Sequence, residues 1–219
     1  MAGARTQDPL LKREMLYQLS YQVKFNYFEA ANIKCLIYIT MLLIKDLMNI
    51  ILLGYMGVGK SLIGQKLSYL LNKNFIDLDD YIEKKEGKSI QNIFSDSGDL
   101  YFRKLESKLL KDCLLKNNDI ILSVGGGTPC YNNNISLINS NKNLSIYLKN
   151  NNINISKRLF KIKNNRPLIS NIQTEEKMIE FVSKHLFERE FFYNKALIKI
   201  DCRGKDVKAI CSSIISSLN

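Results

Sequence analysis

A chain of 219 residues that is 46% apolar and 24% charged suits one soluble globular domain, or one domain with an appendage, and is long enough to bury a core. Its formal charge of +11 invites a polyanionic partner, yet it has no zinc-finger spacing, aromatic RNA-binding signature or dense Lys/Arg block, so small anions are the expected partners and nucleic acid is not. Five cysteines without a Cys-x-x-Cys pair, and a single histidine at 185, argue against a disulfide framework, a zinc site and a His-dependent triad, and fit a reducing cytoplasm.

Residues 1–47 hold no glycine-rich turn and no motif that carries chemistry. They read either as an appended helix or as translation upstream of a natural start at Met48. The apolar run 35–44 is too short to span a bilayer and has no small-residue cleavage site behind it, so neither a membrane anchor nor a signal peptide is expected. From residue 49 short Ile/Leu-rich runs bounded by Asn, Asp or Gly predict five strands, at 49–53, 74–78, 119–124, 143–148 and 196–200. Amphipathic segments at 60–71, 80–86, 89–94, 100–116, 155–160, 175–193 and 207–218 predict helices between and around them. Unbroken apolar strands alternating with helices imply an α/β fold, a parallel sheet covered on both faces.

Between the first strand and the first helix stands Gly54-Tyr55-Met56-Gly57-Val58-Gly59-Lys60-Ser61, which matches G-x-x-x-x-G-K-[ST] in the strand-to-helix context that the motif requires. Its glycines let the backbone turn tightly, so that amide N–H groups converge on phosphate oxygens at a helix N-terminus. Lys60 then supplies a charge to the β- and γ-phosphates, and Ser61 a hydroxyl to Mg²⁺. The Asn-Lys pairs at 72–73, 141–142 and 194–195 are never followed by x-Asp, so guanine specificity has no support. The third strand runs into Gly125-Gly126-Gly127 without a closing Asp, and carboxylate help for the metal must come from elsewhere.

Asp77-Leu78-Asp79-Asp80 closes the second strand, the edge at which open α/β sheets place ligands. Read as alternating strand positions, Asp77 and Asp79 point the same way, one to metal-bound water and the other to a substrate hydroxyl. A plain helix N-cap with acidic first-turn residues satisfies the same four residues.

The run from Asp77 through Gly87-Lys88-Ser89-Ile90, Ile93-Phe94, Gly98 and Phe102-Arg103-Lys104-Leu105-Glu106 resembles the corresponding region of shikimate kinases. The triple glycine, Arg166-Pro167-Leu168-Ile169 and Glu188-Arg189 followed by Tyr193 extend the resemblance over about 48–219. It implies a three-layer P-loop kinase, related to nucleoside monophosphate kinases, with a mobile lid over about 161–172. The implied reaction is transfer of the ATP γ-phosphate to the 3-hydroxyl of shikimate with Mg²⁺, in chorismate and aromatic amino acid biosynthesis, by a cytoplasmic monomer.

The resemblance also implies roles for single residues. Asp79 holds the reacting hydroxyl as base, and Asp77 with Ser61 supports Mg²⁺. Gly57, Val58, Gly59, Lys60, Ser61 and Leu62 form the nucleotide cradle, Leu62 standing where many relatives have Thr and Asp80 where some have an apolar residue. Arg103 clamps the substrate carboxylate, oriented by Glu106 three residues on, and Arg189 is a second carboxylate-binding arginine. Gly126 meets the substrate ring, with Gly125 and Gly127 permitting the turn, and Phe94 and Phe102 resemble the pocket's aromatic wall or are simply core. Arg166 on the lid approaches the transferring phosphoryl group, Arg158 packs on adenine, and a further adenine contact falls near Arg203, where the match is poor. The rivals are a kinase of another polyol acid such as gluconate, a nucleoside monophosphate kinase, and a nucleotide-binding regulator without transfer activity.

Overall fold

The computed structural model describes residues 48–140, 143–163 and 167–218; the expectations for residues 1–47 and for Arg166 lie outside them. The chain runs β1 (Asn49–Leu53), α1 (Lys60–Leu71), β2 (Asn74–Asp77), α2 (Leu78–Glu86), α3 (Ile90–Lys116), β3 (Ile120–Ser123) and α4 (Asn134–Ile138). It continues with β4 (Asn143–Lys149), α5 (Asn152–Lys161), α6 (Glu175–Tyr193), β5 (Ile198–Asp201) and α7 (Val207–Leu218). Single 3₁₀ turns lie at Thr128–Cys130 and Pro167–Ile169.

The five strands form one sheet in the order β2-β3-β1-β4-β5, and every neighbouring pair is parallel. All five residues of β1 are buried, because strand alternation sends Ile51 and Leu53 into one core and Ile50 and Leu52 into the other. One core holds α2, α3 and α6 through Ile82, Leu110 and Val182; the other holds α1 and α7 through Leu67 and Ile214. Each fully buried Leu or Ile is worth about 1.5–3 kcal/mol, so these layers supply most of the force that holds the sheet. The Asn residues that open the strands pair with one another. Asn49 donates to the Asn143 side chain at 3.0 Å and accepts from the Ile120 amide, which stitches the starts of β4, β1 and β3.

The helix starts follow from their capping residues. Ser89, Asn151 and Thr174 each accept a backbone N–H of the following turn through the side chain, at the heads of α3, α5 and α6. The helices expected at 89–94 and 100–116 both form, as the two halves of α3: Gly98 (φ 78°, ψ 174°) breaks the helical backbone between them, in a conformation costly for any residue with a Cβ. The expected strand 74–78 is a residue too long: β2 ends at Asp77 and α2 begins at Leu78. Because the sheet is parallel, the segments leaving β1, β2 and β3 emerge at the same edge, and they build the cleft described next.

Candidate active site

The turn after β1 ends at Gly59, which caps α1 with φ 103°, open to glycine and strained for other residues. Lys60 folds back over this turn, and its Nζ donates to the carbonyl oxygens of Gly54 at 2.9 Å and Tyr55 at 3.2 Å. Val58 is buried beneath the turn, while the Leu62 side chain is 58% exposed, which leaves Leu62 its backbone to offer a ligand. Ser61 follows in the first turn of α1, and its hydroxyl donates to Asp77 Oδ2 at 2.6 Å.

Asp77 thereby joins two elements. Its other oxygen, Oδ1, accepts the Asp79 amide at 3.1 Å and so caps α2. This corrects the alternation argument for Asp77 and Asp79: a strand-to-helix boundary separates them, and Asp79 turns toward the cleft from the first turn of a helix. The N-cap reading is what forms, with Asp79 and Asp80 as its acidic first-turn residues. Ser61 and Asp77 place a hydroxyl and a carboxylate side by side at the mouth of the phosphate cradle. That oxygen donor set fits Mg²⁺, which takes few protein ligands and keeps waters and phosphate oxygens for the rest.

Asp79 lines a cleft of about 1230 Å³, whose walls also include Met56, Phe94, Arg103, Gly126 and Arg189. Burial pushes its carboxyl up from 3.8 to about 6; the neighbouring Asp77 charge, Glu106 and Asp80 add to the rise, and Lys60 opposes it. A carboxyl held there is mostly ionised at neutral pH yet basic enough to accept a proton.

On the far wall Arg103 is locked from several sides. Nη1 donates to Glu106 Oε2 at 3.0 Å, and Thr128 donates to the other Glu106 oxygen at 2.6 Å, so the buried Glu106 carboxylate is satisfied twice. The guanidinium lies 4.3 Å from the Tyr131 ring centroid and 5.2 Å from that of Phe102, which stacks on Phe94 at 4.4 Å. Its Nε is 3.3 Å from Asp99 Oδ1, within ion-pair reach, but makes no hydrogen bond among the described residues. A half-buried charged fork with donor capacity to spare suits a planar carboxylate.

The turn Gly125-Gly126-Gly127 fits under this arginine. A Cβ on Gly127 would stand 3.0 Å from Arg103 Nη1, and one on Gly125 would stand 3.1 Å from Asp79 Oδ1. Tyr193 donates its hydroxyl to the Gly126 carbonyl and pins the turn from α6. Arg189, one turn earlier on α6, lines the same cleft with its guanidinium 5.7 Å from the Tyr55 ring centroid.

Other expected residues lie apart from this cluster. Arg158 is exposed on α5, near enough to Cys202 to lower its thiol against the rise that burial causes. Arg203 turns back onto Asp201, donating through Nε at 2.9 Å and Nη2 at 2.6 Å, so its guanidinium is engaged by its own loop. The described parts of 161–172 are tied at their ends, where Lys163 Nζ donates to the Ile172 carbonyl at 2.7 Å. Ile169 is anchored in the core, and Leu168 is exposed at the cleft.

Tyr131 and His185 line the cleft, and the buried Tyr55 backs two of its lining residues, His185 and Arg189; none of the three is marked by the sequence. Tyr55 occupies an unspecified position of the phosphate motif and His185 an ordinary position of a helix, so nothing in the spacing marks them.

The family model described as "Shikimate kinase" matches residues 56–219. The shikimate kinase of Flavobacterium johnsoniae is 43% identical over 170 residues, which cover 78% of this chain and 98% of that protein. The crystal structure of shikimate kinase from Bacteroides thetaiotaomicron superposes with a TM-score of 0.73 at 28% identity, over 78% of this chain and 98% of the other. The solved structure of the Acinetobacter baumannii shikimate kinase in complex with shikimate gives 0.69 at 27% identity, over 81% of this chain and 96% of the other.

Proposed function

The chain belongs to the shikimate kinase family, and we propose that it transfers the γ-phosphate of ATP to the 3-hydroxyl of shikimate, giving shikimate 3-phosphate and ADP on the route to chorismate and the aromatic amino acids. One observation carries the reading beyond the family: a half-buried carboxyl raised to about 6, Asp79, stands in one cleft with two arginines and beside a phosphate cradle.

In this reading the cradle from Gly57 to Leu62 binds the triphosphate through backbone amides, and Lys60 turns from its carbonyl partners to the β- and γ-phosphates. Ser61 and Asp77 hold Mg²⁺, which when bound neutralises charge on the phosphate oxygens. Arg103, steadied by Glu106, and Arg189 bind the acceptor's carboxylate, and the backbone of Gly126 supports its ring. Asp79 takes the proton from the 3-hydroxyl as that oxygen forms its bond to the γ-phosphorus and the bond to the ADP oxygen breaks. Positioning and preorganised charge supply most of the acceleration in such a transfer, so rigid supports such as Glu106 and Tyr193 matter.

Residues 161–172 act as a lid that brings Arg166 to the transferring phosphoryl group and excludes water, which would otherwise compete as acceptor. Arg158 packs on adenine; Arg203 would contribute only by leaving Asp201 or through its backbone. The enzyme acts as a monomer in the cytoplasm on ATP and shikimate, with no membrane or nucleic-acid partner. Among the described residues no helix is long and apolar enough to cross a membrane.

ADP release from purified protein with MgATP, compared across shikimate, gluconate, a nucleoside monophosphate and no acceptor, tests the proposal. Turnover that requires shikimate and collapses in Asp79→Asn is the expected result. Turnover with another acceptor would discard the substrate, and nucleotide binding without any turnover would return the chain to the regulatory rival.

A further inference from the structure

His185, Arg189 and Tyr193 follow one another at four-residue spacing on α6 and so share one face of the helix. Two of the three bond across to the other side of the cleft. One turn after Arg189, Tyr193 donates to the Gly126 carbonyl. One turn before it, His185 Nδ1 lies 3.3 Å from the hydroxyl of Tyr55, the second residue of the phosphate motif. Arg189 sits between these anchors, over the face of the Tyr55 ring.

The Tyr55 end is built as a fixed support. Tyr55 is 1% exposed, and burial raises its phenol to about 12, so it stays protonated and able to donate. His185 packs on Phe181 with ring centroids 4.2 Å apart. Burial and the Arg189 charge lower its pKa, which favours the neutral ring, and in the tautomer with the proton on Nε2 its Nδ1 accepts from Tyr55. A donor that stays protonated meets an acceptor that stays neutral, so the bond persists across the neutral range. Desolvated in this way, it outweighs a comparable surface contact.

Resting on the proposed shikimate kinase activity, we infer that Tyr55 and His185 form a positioning pair that aims Arg189 at the carboxylate of the acceptor. Tyr55 supplies both the ring beneath the guanidinium and the hydroxyl that fixes the helix turn preceding it. Neither residue touches the reacting atoms. Their loss therefore loosens acceptor binding much more than it slows transfer from the bound complex.

The test is steady-state kinetics of Tyr55→Phe, His185→Leu, the double variant and His185→Gln, with wild type alongside. Losing one hydrogen bond of this kind should raise the KM for shikimate about fivefold to tenfold. The KM for ATP and kcat should move less than twofold, the double variant should be no worse than the worse single one, and His185→Gln, whose amide oxygen can accept from Tyr55, should recover most of the loss. With shikimate methyl ester, which lacks the charged carboxylate, wild type and Tyr55→Phe should be equally poor. An unchanged KM for shikimate in both single variants, or an equal rise in both KM values, would overturn the inference while leaving the activity intact. Absence of shikimate turnover in wild type would instead remove the activity on which it rests.

Discussion

Replacing Asp79 with Asn should remove activity and at the same time make the protein more stable at alkaline pH. The fold holds this carboxyl at about 6 instead of 3.8, chiefly by burial. A pKa raised by folding favours the protonated form, so the penalty is absent below 3.8, grows between 3.8 and about 6, and is complete above 6. At about 1.4 kcal/mol per pH unit the full penalty is about 3 kcal/mol. Asn keeps the size of the side chain and cannot ionise. At pH 8 the variant should therefore gain up to about 3 kcal/mol, or roughly 6–12 °C in Tm for a domain of this size. The gain should vanish at pH 4. Thermal unfolding of both proteins at the two pH values, without nucleotide, measures the difference directly. Loss of the base should lower kcat by about 100-fold or more. A Tm difference independent of pH would show that Asp79 is not held in its charged form at a cost, and retained turnover would remove it as the base.

Three further outcomes follow from the same geometry. The acid limb of kcat/KM for shikimate should fall near pH 6, so that activity at pH 5 is about one tenth of the plateau; Glu106→Gln, which deletes one charge that raises Asp79, should move the limb to lower pH. Gly127→Ala would set a Cβ 3.0 Å from Arg103 Nη1 and push the fork off its carboxylate, raising the KM for shikimate about tenfold while the KM for ATP holds, as read by steady-state kinetics. Arg166→Ala should cost about 100-fold in kcat, with ATP affinity nearly unchanged by equilibrium titration, if that arginine acts on the transferring group rather than on the resting nucleotide.

The layers of this fold were legible because their residues report on their surroundings one position at a time. Ile50–Leu53 is buried on both faces and therefore apolar throughout, and the phosphate turn needs its glycines whatever surrounds them. For Asp77 the sequence left two readings open, for a physical reason. An Asp at the end of a strand also makes a good helix cap, and alternation cannot say which bond its oxygens will make. The structure gives both oxygens work, one with Ser61 and one with the Asp79 amide. Arg203 illustrates the same limit, since its neighbour two residues back captures the guanidinium that composition alone left open.

What spacing cannot express is support across the cleft. Glu106 could be paired with Arg103 from the sequence because three residues separate them on one helix. Thr128, which satisfies the second Glu106 oxygen, could not be, and neither could Tyr193 with Gly126 or Tyr55 with His185. Each of these bonds joins a turn that follows a strand to a helix distant in sequence, brought together only when a parallel sheet gathers its strand ends at one edge. The groups expected to meet ligand and the groups that hold them thus differ in how far the sequence reveals them. A kinase that works by positioning depends on both, which is why substitutions at the unmarked supports should appear as weakened acceptor binding rather than as loss of the fold.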